Sequence, residues 1–146
     1  MQQDPPPGFT LFEPLDSVIA AFAPVFIRRD EGHVTIGFRV GAQHCNLQGN
    51  CAGGVWAMLA DFQMGMNVGL MTGLSGPTVS MSVDYLGAAR PGQWAEGRTR
   101  LLRRTPKLAF LDATFTVDGE FALRADGIFR LKWPVPDWFV KNPGPA

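Results

Sequence analysis

The sequence predicts an α+β domain in which a curved antiparallel sheet of five to six strands wraps one central helix, and three observations carry that prediction. Val55, Trp56, Met58, Leu59, Phe62, Met64, Met66, Val68 and Leu70 place apolar groups on all sides of a helix over residues 55–71, so protein must enclose it. Thr78 to Leu86 sets Val79, Met81, Val83 and Tyr85 alternately with Thr78, Ser80, Ser82 and Asp84, the two-residue period of a strand. Trp94 to Leu102, Leu108 to Val117 and Phe121 to Trp133 are long β-prone runs. Thr105-Pro106-Lys107 and Asp118-Gly119 break them with turn chemistry, which folds the runs into a meander.

The remaining elements follow in chain order. Met1 to Gly8, with Pro5-Pro6-Pro7, lacks the backbone donors of a regular ladder and reads as an extended or mobile lead-in. Asp16 or Ser17 caps a short helix that runs through Val18, Ile19 and Phe22 and stops before Pro24. Val25-Phe26-Ile27, the turn Asp30-Glu31-Gly32 and His33 to Val40 make a hairpin. The stretch GAQHCNLQGNCAGG, residues 41–54, is too small and polar for either element and reads as a loop that ends where the central helix opens, at Gly53-Gly54. Residues 134–146 form a Pro-rich irregular tail in which Trp138 and Phe139 could dock on the body or on a neighbour. With no repeat and no linker, residues 1–146 read as one domain. An open sheet leaves exposed edges, and pairing Thr78 to Leu86 with its copy in a second subunit would remove one of them in a symmetric homodimer.

Composition narrows the function classes. With 46% hydrophobic and 18% charged residues, the 146-residue chain can bury a core unaided. Thirteen basic residues balance thirteen acidic ones, so no net field favours nucleic acid or an anionic membrane. Cys51 to Met71 is long enough to span a bilayer, but Asp61 near its centre would cost roughly 2.5–3.5 kcal/mol there. Gln63 and Asn67 add to that cost, and a helix buried in protein explains the segment better. Two cysteines and the lack of a signal-peptide pattern at the N-terminus point to a reduced, cytoplasmic setting.

Asp61 is the residue with chemical interest. In the middle of an enclosed helix its carboxylate either reaches a cavity or interface, or is buried with a raised pKa; a structural carboxylate bonded to backbone or across an interface is the simpler explanation. Gly53-Gly54 opens the same helix, where unpaired N–H groups and the positive end of the macrodipole can stabilise an oxyanion, although glycine pairs also serve tight bends. His44, Cys45 and Cys51 match no common zinc spacing, so a metal is not expected. A free cysteine is ordinarily a small buried hydrophobe, and a lone loop histidine is ordinarily solvated or locally hydrogen-bonded.

Read together, Asn46, Gly49, Gly53, Gly54, Leu59 and Asp61 spell N-x2-G-x3-GG-x4-L-x-D. This resembles the signature N-x2-G-x2-HGG-x4-L-x-D of the hotdog-fold thioesterases of the PaaI/4HBT group. The later TVSMSVDYLGAARPG also matches a strand and turn of that group, and the resemblance runs from about Phe26 to Leu131. It implies a hotdog fold and an acyl-CoA thioesterase that needs no cofactor beyond the CoA of its substrate. It also implies a homodimer, with pairing of two dimers into a homotetramer left open. In that family Asn46 and the Gly53-Gly54 amides of one subunit would meet Asp61 and the Thr78 hydroxyl of the other. Asp61 would act as general base or as nucleophile; Thr78 would orient water, or would be an ordinary β-branched strand residue. Tyr85 and the basic turn of Arg103, Arg104 and Lys107 would contact CoA, the turn being otherwise a solvated charge cluster. One position departs from the pattern: the family histidine before the glycine pair is Ala52, which keeps backbone donors but removes any imidazole contribution and leaves open a non-catalytic acyl-CoA-binding dimer. The acyl pocket would depend on Trp56, Met58, Met81 and Phe110.

Overall fold

A computed structural model describes residues 4–13 and 18–137. Its elements are β1 (Thr10–Phe12), β2 (Val25–Asp30), β3 (His33–Arg39), α1 (Gly53–Thr72), β4 (Leu74–Ser75), β5 (Thr78–Tyr85), β6 (Trp94–Arg104), β7 (Leu108–Val117), β8 (Glu120–Arg130) and β9 (Trp133–Pro134). Seven strands form one antiparallel sheet in the order β1-β2-β3-β6-β7-β8-β5, and β4 pairs with β9 in a separate two-stranded ribbon. The helix lies across the inner face of the large sheet.

Strand periodicity explains the packing. Along β7, Ala109, Leu111, Ala113, Phe115 and Val117 are buried, and the residues between them are only partly so. The small alanines leave room for α1, which inserts Trp56, Leu59 and Met64. Trp56 meets Phe38 and Phe115 edge-on, with ring centroids 5.6 and 5.5 Å away. Each such side chain contributes about 1.5–3 kcal/mol on burial. The helix starts from Ala52 in extended conformation and ends at Gly73, whose φ of 75° is a left-handed cap that glycine adopts without strain.

The structure differs from the sequence expectation in four places. The sheet has seven strands rather than five to six because Thr10–Phe12 pairs with Val25–Ile27. The helix expected before Pro24 is a 3-10 turn over Val18–Phe22; its proposed caps, Asp16 and Ser17, lie outside the described residues, as do Trp138 and Phe139. The run to Trp133 leaves the large sheet after Arg130, and Trp133–Pro134 crosses to Leu74–Ser75. Finally, the sheet does not enclose α1 completely: Gly54 is exposed, and Ala57, Met58, Asp61, Phe62 and Gly65 are only partly buried.

Two polar residues of the helix shape the sheet itself. β3 pairs with β6 only through Gly37, Phe38 and Arg39, and beyond that the two strands part. Gln63 and Asn67, both fully buried, fill the split. Gln63 Oε1 accepts from Ile36 N–H at 2.7 Å, and its Nε2 donates to Val34 C=O at 2.8 Å and to Thr99 Oγ1 at 3.1 Å. Asn67 Oδ1 accepts from Val34 N–H at 2.9 Å. Side chains thus replace the missing ladder, which buried backbone groups require.

Candidate active site

The site residues are held by three neighbouring pieces of chain. Asn46 begins a tight turn in the loop before α1: its Oδ1 accepts from the N–H groups of Gln48 and Asn50 at 3.0 and 3.2 Å. The turn is the local hydrogen-bonding habit of asparagine. At the helix entrance, Val55 and Trp56 N–H both bond to Ala52 C=O. The N–H groups of Gly53 and Gly54 then have no partner among the described residues, and they carry the positive end of the helix dipole. Tyr85, at the end of β5, stands over this entrance and donates its hydroxyl to Gly53 C=O at 2.8 Å. A Cβ at Gly53 would lie 3.2 Å from the tyrosine ring, so glycine gives the close approach its room.

Asp61 reaches a cleft rather than the sealed core. Thr78 Oγ1, at the start of β5, donates to Asp61 Oδ1 at 2.6 Å. Both residues line a cleft of about 420 Å³ whose other walls include Phe62, Met66, Phe129 and Val135. Asp61 lies eight residues beyond Gly53, about 12 Å along the helix axis. A single chain therefore keeps the carboxylate apart from the free amides.

The basic turn is at the opposite end of the helix from Tyr85. Arg103, Arg104 and Lys107 are exposed, and Arg104 Nη1 donates to Thr72 C=O at 3.3 Å, where a cation complements the helix C-terminus. Among the acyl-pocket candidates, Trp56 is buried in the core and does not line the cleft. Phe110 points away from the helix, into an outer-face groove with Leu102 and Ile128. Their places were exchanged for Phe62, Met66 and Phe129, and the sequence signal for these is their spacing: Phe62 and Met66 are one helical turn apart on the side of Asp61.

His44 is a structural residue. It is buried, accepts from Gly41 N–H through Nδ1 at 2.9 Å, and places Nε2 2.9 Å from Phe22 C=O, which fixes the Nε2–H tautomer. Burial, and secondarily the neighbouring Cys45, pushes the Cys51 thiol up to about 12, far from a reactive thiolate.

A family model described as the thioesterase superfamily matches residues 48–120, half of the chain, and spans the helix entrance, Asp61 and Thr78. The chain belongs to the thioesterase superfamily. A Pseudomonas aeruginosa protein provisionally named an esterase is 29% identical over 129 residues, 86% of this chain and 96% of that one. Among solved structures, a hypothetical thioesterase of Streptococcus pneumoniae with coenzyme A is similar with a TM-score of 0.74 at 24% identity, covering 82% of this chain and 94% of that one. PaaI of E. coli also gives a TM-score of 0.74, at 18% identity, covering 83% of this chain and 89% of that one. These likenesses establish the hotdog fold, one helix on a large antiparallel sheet. Ala52, the N-cap of α1, offers the helix entrance no side-chain cap.

Proposed function

We propose that the protein hydrolyses an acyl-CoA thioester to CoA and a carboxylic acid, at a site completed by two copies of the chain. The observation that carries this reading is the Thr78–Asp61 hydrogen bond at the cleft. With Oδ1 held by the hydroxyl, Oδ2 is left to take a proton from water. Water oxygen adds to the thioester carbonyl as Asp61 accepts its proton, and the carbonyl electron pair moves onto oxygen. The Gly53 and Gly54 amides of the second copy stabilise that oxyanion. Collapse breaks the C–S bond, and the departing CoA sulfur takes up the proton. In the alternative route Asp61 attacks the carbonyl directly and water then hydrolyses the anhydride.

Asn46 has its oxygen spent on the turn, which leaves its NH2 group as the donor it can offer to the reacting groups. Tyr85 of the second copy borders the thioester beside that copy's amides, and that copy's Arg103, Arg104 and Lys107 face the CoA phosphates. The streptococcal relative with coenzyme A supports CoA as the carrier. One observation favours a second reading, an acyl-CoA-binding dimer without turnover: Ala52 adds no polar side chain to the entrance.

CoA release from a panel of short, long and aromatic acyl-CoAs, followed with a thiol reagent, separates the two. Asp61→Asn is expected to lower kcat by about 100-fold or more, the usual reach of a general base, while acyl-CoA binding survives. Wild-type binding without turnover above Asp61→Asn would leave the binding reading.

A further inference from the structure

We propose that the ribbon formed by β4 and β9 is the end wall of the acyl site, that Val135 sets the length it admits, and that the acyl group is uncharged and aliphatic, up to about ten carbons. This rests on the thioesterase reading above and goes beyond it to the substrate.

The cleft is polar at one end and apolar at the other. Asp61 and Thr78 mark the reacting end. From there it follows α1 past Phe62, Gly65 and Met66 to Gly69, eight residues on and about 12 Å along the axis. Gly65 and Gly69 lack side chains and so leave the floor low. At the far end the chain returns: Val135 N–H donates to Gly73 C=O at 3.1 Å, and Lys132 N–H to Ser75 C=O at 2.9 Å. These bonds hold Val135 and Pro136 across the cleft, next to Phe129. Among the described residues, no charged side chain other than Asp61 lines it, so a second carboxylate or an ammonium on the acyl group would meet no charge there, opposite or like, except that carboxylate. An extended alkyl chain with bonds of about 1.5 Å at about 111° advances roughly 1.25 Å per bond, so some 12 Å takes nine or ten of them.

A Cβ at Gly76, the residue after β4, would fall on Arg130 C=O at the end of β8, so only glycine fits where the chain passes from the ribbon to the large sheet. Val135 lines the cleft, and the bond it makes to Gly73 C=O runs through its backbone N–H, so a change of side-chain size leaves that bond in place.

The test is kcat/KM against a series of straight-chain acyl-CoAs from two to sixteen carbons, for the full-length wild type, Val135→Ala and Val135→Phe. Wild type should gain about fourfold per methylene, the transfer value of a buried CH2, and level off near ten carbons. Val135→Ala should move that limit outward by one or two carbons, and Val135→Phe should move it inward. Turnover with the same limit in all three proteins overturns the end wall and leaves the thioesterase reading intact. If wild type turns over no acyl-CoA, that reading fails; the wall is then judged by affinities for non-hydrolysable thioether analogues of the same lengths, where an unshifted limit in Val135→Ala overturns it.

Discussion

At the scale of single residues, the Thr78 hydroxyl commits one oxygen of Asp61 and so fixes which oxygen faces the cleft. The residues themselves single out Asp61, and only the family resemblance set Thr78 with it on one subunit, because the contact joins residues seventeen apart through the turn of the ribbon. His33 is a second residue whose role depends on a partner distant in sequence. Its Nε2 accepts from Thr99 N–H at 3.0 Å, across the gap between β3 and β6. Burial and then Arg98 lower its pKa, with a smaller push from Arg28 and an opposing pull from Asp30. A histidine depressed in the folded state binds its proton more readily when unfolded, so stability rises with pH in that window. The contribution is complete above about 6.5, the unfolded value, and is lost as pH falls from there through the lowered folded pKa. Urea unfolding at pH 7.5, 6.5 and 5.5 should therefore show a steeper loss for wild type than for His33→Gln, which keeps an acceptor without the titration. Equal slopes would mean that other groups govern the acid side.

At the scale of elements, the helix was legible because apolar residues fill all its sides, and the hairpin and the four later strands because turn residues bound their β-prone runs. Thr10–Phe12 was not, since three residues after a proline run carry no period. Gln63 and Asn67 were legible only as obstacles to membrane insertion. Their spacing puts them on one face, but nothing in the local sequence says that this face meets strands that have parted. The structure gives them a positive task. Gln63→Leu would leave Ile36 N–H buried and unpaired and strip one partner from Thr99, so a loss of about 2–4 kcal/mol is expected in denaturant unfolding. A change below about 0.5 kcal/mol would show that the split can close on its own.

At the scale of the whole molecule, β5 is an edge of the large sheet, and beside it runs the uncovered stripe of α1 that carries Asp61. The proposed site follows from covering both with a second copy, since one chain holds its amides and its carboxylate about 12 Å apart. Mixed dimers decide it. Co-expressed Asp61→Asn and Asn46→Ala chains, each inactive alone, should form one intact site in each heterodimer and recover about a quarter of wild-type activity on random pairing. No recovery, with heterodimers confirmed by two different tags, would place the two residues' work in the same chain.

The ribbon also bears on how such an enzyme changes over time. Asp61 and Thr78 lie inside the segment that matches the thioesterase superfamily, residues 48–120, whereas Trp133–Pro134 and Val135 lie beyond it. Two strands of two residues each, held by a few backbone bonds, carry little of the core's stability. Substitutions there can accumulate without disturbing the catalytic end. On the proposed reading, the wall that limits the acyl group stands apart in the chain from Asp61 and Thr78, and new substrates would be most readily sought by varying the ribbon.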